Sequence, residues 1–302
     1  MPPTMRGTFH QAWRRVCEAL AIALLAVAPA ARGHGDFHAV IQAADEDIAK
    51  DPKNPDLYLR RAELFRIHQQ FDSAKADIAT AEKLSPALPM LDLSRARLLL
   101  DTGWPLSARA HLDRFLKVFP SHLDALVLRS QTWTRLGQLL FAAEDLSRAI
   151  AVAPEGAPDL YIERARTLAS AGRDHIEAAL QGIDDGVKRM GPLVTLQLTA
   201  IDLELRRHNH DGALARVDTV LDRSPRKESW LARKGEILLQ AGRAPEAKKA
   251  YSDALAALST LPPARRNVPA VMDLAKRIQL ELDHLDNPGG ATPTPRPGRV
   301  NP

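Results

Sequence analysis

The stretch Trp230-Leu231-Ala232-Arg233-Lys234-Gly235-Glu236-Ile237-Leu238-Leu239-Gln240-Ala241-Gly242, followed by Ala247, Tyr251 and Ala254, carries the pattern that decides the fold. A small residue, Gly235, precedes a large apolar one, Leu238, by three positions. Gly242 then permits a positive φ and stops the helix. A second helical run follows with Ala247, Tyr251 and Ala254 on one face.

The same pattern recurs throughout the chain. Small residues stand at Ala62, Ala96, Ser130, Ala165, Ala200 and Gly235, in steps of 34, 34, 35, 35 and 35. A second small series reads Ala74, Ala108, Ala142, Ala178, Ala213 and Ala247. Large apolar residues follow the first series at Phe65, Leu99, Trp133, Leu168, Leu203 and Leu238, and prolines close units at Pro52, Pro86, Pro120, Pro154, Pro192 and Pro225. Self-similarity at this period marks a stacked repeat architecture. A small side chain lets two helices approach, the large one fills the gap beyond it, and each pair must stack on the next to bury its face.

These residues resemble the tetratricopeptide repeat family. The last unit carries the likeness best, and the third nearly as well with Ser130, Trp133, Gly137, Ala142, Leu146, Ala149 and Pro154. The resemblance covers residues 54–260 and implies an all-α fold, a right-handed α-solenoid of about six helix-turn-helix repeats with capping helices. Gln69 and Arg207 stand where other units have the turn glycine. The fourth unit runs long, through Gly182 to Gly191, and the fifth carries an extra residue near His208-Asn209-His210.

The ends read differently. Residues 37–52 form a lone N-terminal capping helix with Ile41, Ala44 and Ile48 on one face. Residues 263–286 form a C-terminal capping helix, where Pro269 opens a stripe of Val271, Leu274, Ile278, Leu282 and Leu285. That stripe covers the open end of the array or pairs with a second copy, and the sequence leaves the oligomeric state open. Residues 287–302 hold five Pro and three Gly, a composition that predicts a disordered tail.

The first 30 residues read as a signal peptide. Arg14 and Arg15 precede an unbroken apolar run, Ala19 to Ala28, and Ala28-Pro29-Ala30 has the small-x-small shape of a cleavage site, with cleavage expected near 30–33. The run is too short to span a bilayer, which takes about 20 residues, so no stable membrane insertion is expected after cleavage. Cys17, the one cysteine, lies before the run and not after it, so the protein does not read as a lipoprotein. The expected location is periplasmic or secreted.

The charge is +4, and removal of the first 30 residues leaves 38 basic against 36 acidic residues. That balance, with no Lys/Arg stripe among aromatics, argues against nucleic acid. No phosphate loop, His-Glu-x-x-His, Gly-x-Ser-x-Gly or Cys-x-x-Cys motif occurs, so no cofactor is implied and the chain does not read as an enzyme. Asp184 and Asp185 read as a solvated turn, and His208 and His210 as a hydrated loop. A mature terminus at His34, with His38 nearby, gives the alternative reading of a copper-binding accessory protein.

The resemblance implies that first helices of successive pairs line a concave groove. In that register the partner-binding positions include Leu59, Arg66, Leu93, Arg97, Val127, Gln131, Ile162 and Arg166. Arg97, Gln131 and Arg166 occupy one equivalent position in three consecutive units, where guanidinium forks would take a carboxylate. Local pairing of these arginines with Asp or Glu is the competing reading. The expected function is an exported interaction scaffold for a partner protein or an extended peptide, with an acidic partner fitting the arginines.

Overall fold

The structure, a computed structural model, describes residues 35–153 and 157–287. Among these residues all regular structure is helical. Helix α1 (Gly35–Lys50) stands alone. Six hairpins follow: α2 (Pro55–Ile67) with α3 (Phe71–Leu84), α4 (Met90–Asp101) with α5 (Pro105–Val118), and α6 (Leu123–Arg135) with α7 (Leu139–Val152). Then come α8 (Pro158–Ala171) with α9 (Ile176–Met190), α10 (Val194–Arg206) with α11 (His210–Leu221), and α12 (Glu228–Gln240) with α13 (Ala244–Ser259). A short α14 (Pro263–Arg266) and α15 (Pro269–Asp286) close the described chain. This is the all-α, helix-hairpin organisation of an α-solenoid. The expected signal peptide and all of the tail but Asn287 lie outside the described residues.

Several helices begin where proline sits at the first turn, as at Pro55, Pro105, Pro158 and Pro269. Proline costs no hydrogen bond there and its φ suits the helix. Asn54 caps α2 by accepting the Asp56 N–H. The chain divides into two compact units between Ser94 and Arg95. In the first, α1 packs on α2 and α2 on α3, around Ala44, Ile48, Leu59, Ala62, Ala74 and Ile78. In the second, one core runs from Ala143 to Leu203, and another from Ile201 to α15, which buries Ile278 and Leu282 beside α13.

The first small series lies at the helix contacts. Ala62, Ala96, Ser130, Ala165 and Ala200 are 0–2 % exposed, and Gly235 is buried. The second series is corrected at one point: Ala179 is fully buried, whereas the expected Ala178 is exposed. The cause is a 3-10 turn, Arg173–His175, which follows Gly172 and lengthens the link to α9. Helix α9 then runs unbroken through Gly182 and Gly186 to Met190, so the long stretch of the fourth unit is its second helix. Asp184 and Asp185 lie on it and not in a turn, and Asp184 accepts from Arg216 at 2.5 Å.

Five hairpins turn in the same way. Gln69, Gly103, Gly137, His208 and Gly242 all have φ between 59° and 85°. In each, the next N–H reaches back to a carbonyl five residues earlier, as in Gln70 to Phe65 at 2.8 Å and Gln138 to Trp133 at 2.9 Å. The fifth turn centres on His208 rather than on Arg207, because α10 runs one residue further past its small residue than α2, α4, α6 and α12 do. Asn209 then caps α11 by accepting the Gly212 N–H while donating to Glu204. A left-handed φ costs Gln69 roughly 1 kcal/mol that glycine avoids. Gln69→Gly is therefore expected to raise stability by up to about that amount in urea unfolding, whereas Gln69→Ala leaves it unchanged or lower.

A basic residue directly before the small residue ties consecutive hairpins together. Arg61 donates to both carboxylate oxygens of Asp77, at 2.8 and 2.6 Å, and to Asp45 at 2.5 Å. Arg129 repeats the arrangement, with Asp145 at 2.7 and 2.6 Å and Asp113 at 2.9 Å. Lys234 reaches Asp218 at 2.6 Å, and Arg164, lacking an aspartate, reaches the Ser147 hydroxyl at 2.7 Å. The hydrogen-bonded Asp145, above all, holds the Arg129 guanidinium pKa above its ordinary value.

Candidate partner-binding cleft

A cleft of about 410 Å³ opens in the second unit between the starts of α6 and α8. Arg97 of α4 stands on it. Leu123, Asp124, Val127, Leu128 and Gln131 come from α6, and Ala157, Pro158, Asp159 and Leu160 from the start of α8. The cleft lies between α6 and α8, the equivalent first helices of neighbouring hairpins.

His122 sets the start of α6. Its Nδ1 accepts the Ala125 N–H at 3.2 Å, satisfying one of the free donors of the first turn. Burial pushes this imidazole below its ordinary 6.5, and nearby Arg97 acts in the same direction against Asp124. A folded-state pKa below the unfolded one means that the unfolded chain takes up the proton first. The His122 contribution is thus complete above about pH 6.5 and fades as the pH falls from there through the lower folded-state pKa. Thermal melts of the wild type should lose midpoint between pH 7.5 and 5 more steeply than those of His122→Asn, which keeps a capping acceptor and cannot titrate. Parallel slopes would remove His122 from the account.

Three of the expected site residues meet in this cleft: Arg97, Val127 and Gln131. The others do not join them. Arg166 is exposed on α8 beyond the lining, and among the described residues it has no ion pair. Arg66 is held locally, donating from Nε and Nη2 to Glu63 at 2.8 Å each. Leu59, Leu93 and Ile162 are corrected. They are 7 %, 1 % and 9 % exposed, respectively, because their side chains fill the contacts between helices and offer little surface to a partner. In the fifth unit Gln197, Ile201 and Glu204 are likewise buried, so that helix presents a closed face there.

The sequence reading missed the two carboxylates. Asp124 and Asp159 stand at the second position of α6 and α8, on the cleft, and Asp124 lies 3.8 Å from Arg97. Their equivalence was visible in the repeat register, which places both six residues before the small residue. The metal reading does not gain from the fold. His34 lies outside the described residues, His38 is exposed on α1, and no cluster of three or more metal-binding side chains occurs among the described residues. No described helix is long and apolar enough to cross a membrane.

Residues 164–274 match the family model for a tetratricopeptide repeat-like domain, and residues 93–159 match one for the tetratricopeptide repeat. Together these spans cover more than half of the chain. No curated protein matches the sequence. Among solved structures, the C-terminal part of a TPR repeat-containing protein from Cytophaga hutchinsonii superposes with a TM-score of 0.59 at 14 % identity, over 79 % of this chain and 94 % of that one. PilW, a type IV pilus biogenesis factor, gives 0.51 at 20 % identity, over 62 % of this chain and 86 % of its own. The Naa15/Naa10 complex bound to HypK-THB gives 0.51 at 18 % identity, over 83 % of this chain and 44 % of the matched chain. At these identities the likeness concerns the fold.

Proposed function

Because the chain belongs to the tetratricopeptide repeat family, we propose that it is a protein-protein interaction scaffold whose α6–α8 cleft seats a segment of a partner protein or an extended peptide. The observation that carries this reading is the cleft itself: an open, apolar depression on equivalent first helices, bordered by Arg97 and Gln131. Apolar side chains in a preformed recess supply the burial term, and the polar border fixes orientation.

Photocrosslinking tests the assignment. A photoreactive residue at Gln131, on the cleft, should capture a partner in the native compartment; the same residue at Lys117, exposed at the end of α5, should not. Equal capture at both positions, or capture at Lys117 alone, would overturn the cleft as the site.

The basic and apolar N-terminal run supports export to the periplasm or outside the cell, and sequencing the mature N-terminus tests this. A start at Ala31, His34 or between them fits, whereas retention of Met1 contradicts it. The copper alternative draws no support from the described residues.

A further inference from the structure

The cleft's charges point to the chemistry of its occupant, and this inference rests on the cleft being the binding site. Six apolar residues form its walls: Leu123, Val127, Leu128, Ala157, Pro158 and Leu160. Among the described lining residues there is one cation, Arg97, against two carboxylates, Asp124 and Asp159. Arg97 faces Asp124 at 3.8 Å, so its charge is already partly answered within the protein. Asp124 is 61 % exposed and Asp159 is exposed, so both face incoming solvent or ligand. Glu163 lies one turn beyond Asp159 on the same side of α8. Burial pushes its carboxyl above the ordinary value, and it forms no salt bridge with any described residue. Neither arginine of that helix lies in the lining: Arg164 donates to the Ser147 hydroxyl, and Arg166 stands a further turn on.

The acidic partner expected from Arg97, Gln131 and Arg166 is therefore not the one the cleft favours. We propose that it takes an extended peptide in which an aliphatic side chain is flanked by lysine or arginine. The aliphatic group enters between Val127 and Leu160, and the flanking cation lies between Asp124 and Asp159. Charge at such a border governs choice of partner and approach, while the apolar recess supplies affinity.

The test is selection from a phage-displayed random heptapeptide library on the immobilised full chain at low salt. The selected peptides are then measured by fluorescence anisotropy. The expected result is enrichment of Leu, Ile or Val next to Lys or Arg, and binding about tenfold weaker to the Asp124→Asn/Asp159→Asn double variant, the size that two border ion pairs carry. Both changes are isosteric at exposed positions, and an unchanged far-UV spectrum and melt would show that the variant folds. Val127→Glu should abolish binding. Acidic or uncharged selected peptides, or undiminished binding to the double variant alongside loss with Val127→Glu, would overturn the basic-partner inference and leave the cleft assignment standing. Binding untouched by Val127→Glu, or no selection at all, would overturn both.

Discussion

Asp145→Ala is expected to lower the unfolding free energy by about 3 kcal/mol, more than any other single change considered for this chain. The Asp145 side chain is 4 % exposed and that of Arg129 is 15 % exposed. Two hydrogen bonds, at 2.7 and 2.6 Å, hold the pair. Removing the carboxylate leaves a desolvated guanidinium with Asp113 as its remaining partner. The loss of a buried partner costs about 3–5 kcal/mol, and alanine's better helix propensity returns a few tenths. Asp113, Arg129 and Asp145 sit on α5, α6 and α7, so the damage should concentrate where two hairpins meet. Hydrogen exchange should show faster opening of those helices than of α12 and α13. Asp211→Ala is the control. Asp211 is 87 % exposed in its pair with Arg243, and its loss should cost no more than about 1 kcal/mol. Equal effects from the two changes would contradict the buried clamp.

Gly235→Ala should destabilise by about 2 kcal/mol, although alanine is the better helix former by about 1 kcal/mol. A Cβ at Gly235 would stand 2.6 Å from Tyr251 Cε1 and 2.7 Å from Cδ1. The ring is 2 % exposed and walled in by α12, α13 and their neighbours, so it has nowhere to move. Overpacking of this kind costs about 1–3 kcal/mol and here exceeds the propensity gain. The other five units carry alanine or serine at this position, and Ile78, Leu112, Leu146, Ile183 and Val217 where the last unit has Tyr251. The double change Gly235→Ala/Tyr251→Leu should therefore recover most of the loss in a double-mutant cycle by urea unfolding. Additive effects would show that the two residues do not share one space.

The fold was legible because close helix contacts can be made in few ways. Only a small side chain fits at Ala96, Ser130 or Ala165, so the period is written in residue type. Positions set by count rather than by type were less legible. Ala178 and Arg207 were each one residue off, because a 3-10 turn and a longer α10 shift the register without leaving a mark in composition. The Arg–Asp clamps were hidden for a different reason. Arg129 meets Asp113 and Asp145 at a separation of 16 residues either way, a pairing that appears only once the hairpins are stacked.

At the proposed site, helical periodicity places Val127 and Gln131 on the cleft but does not give the depth of each position. Leu93 and Val127 are equivalent in sequence, yet Leu93 is 1 % exposed and Val127 opens onto the cleft. The arginines drew the reading toward an acidic partner, since Arg is conspicuous in a repeat and Asp124 is not. The structure adds the 3.8 Å approach of Asp124 to Arg97, on which the proposed basic partner rests.

The most direct test of the central claim is a crystal structure of the chain with one of the selected peptides. The account predicts an aliphatic side chain seated between Val127 and Leu160, with its basic neighbour against Asp124 and Asp159. A peptide lying instead along the second helices, α5 or α7, with the cleft filled only by water, would contradict it.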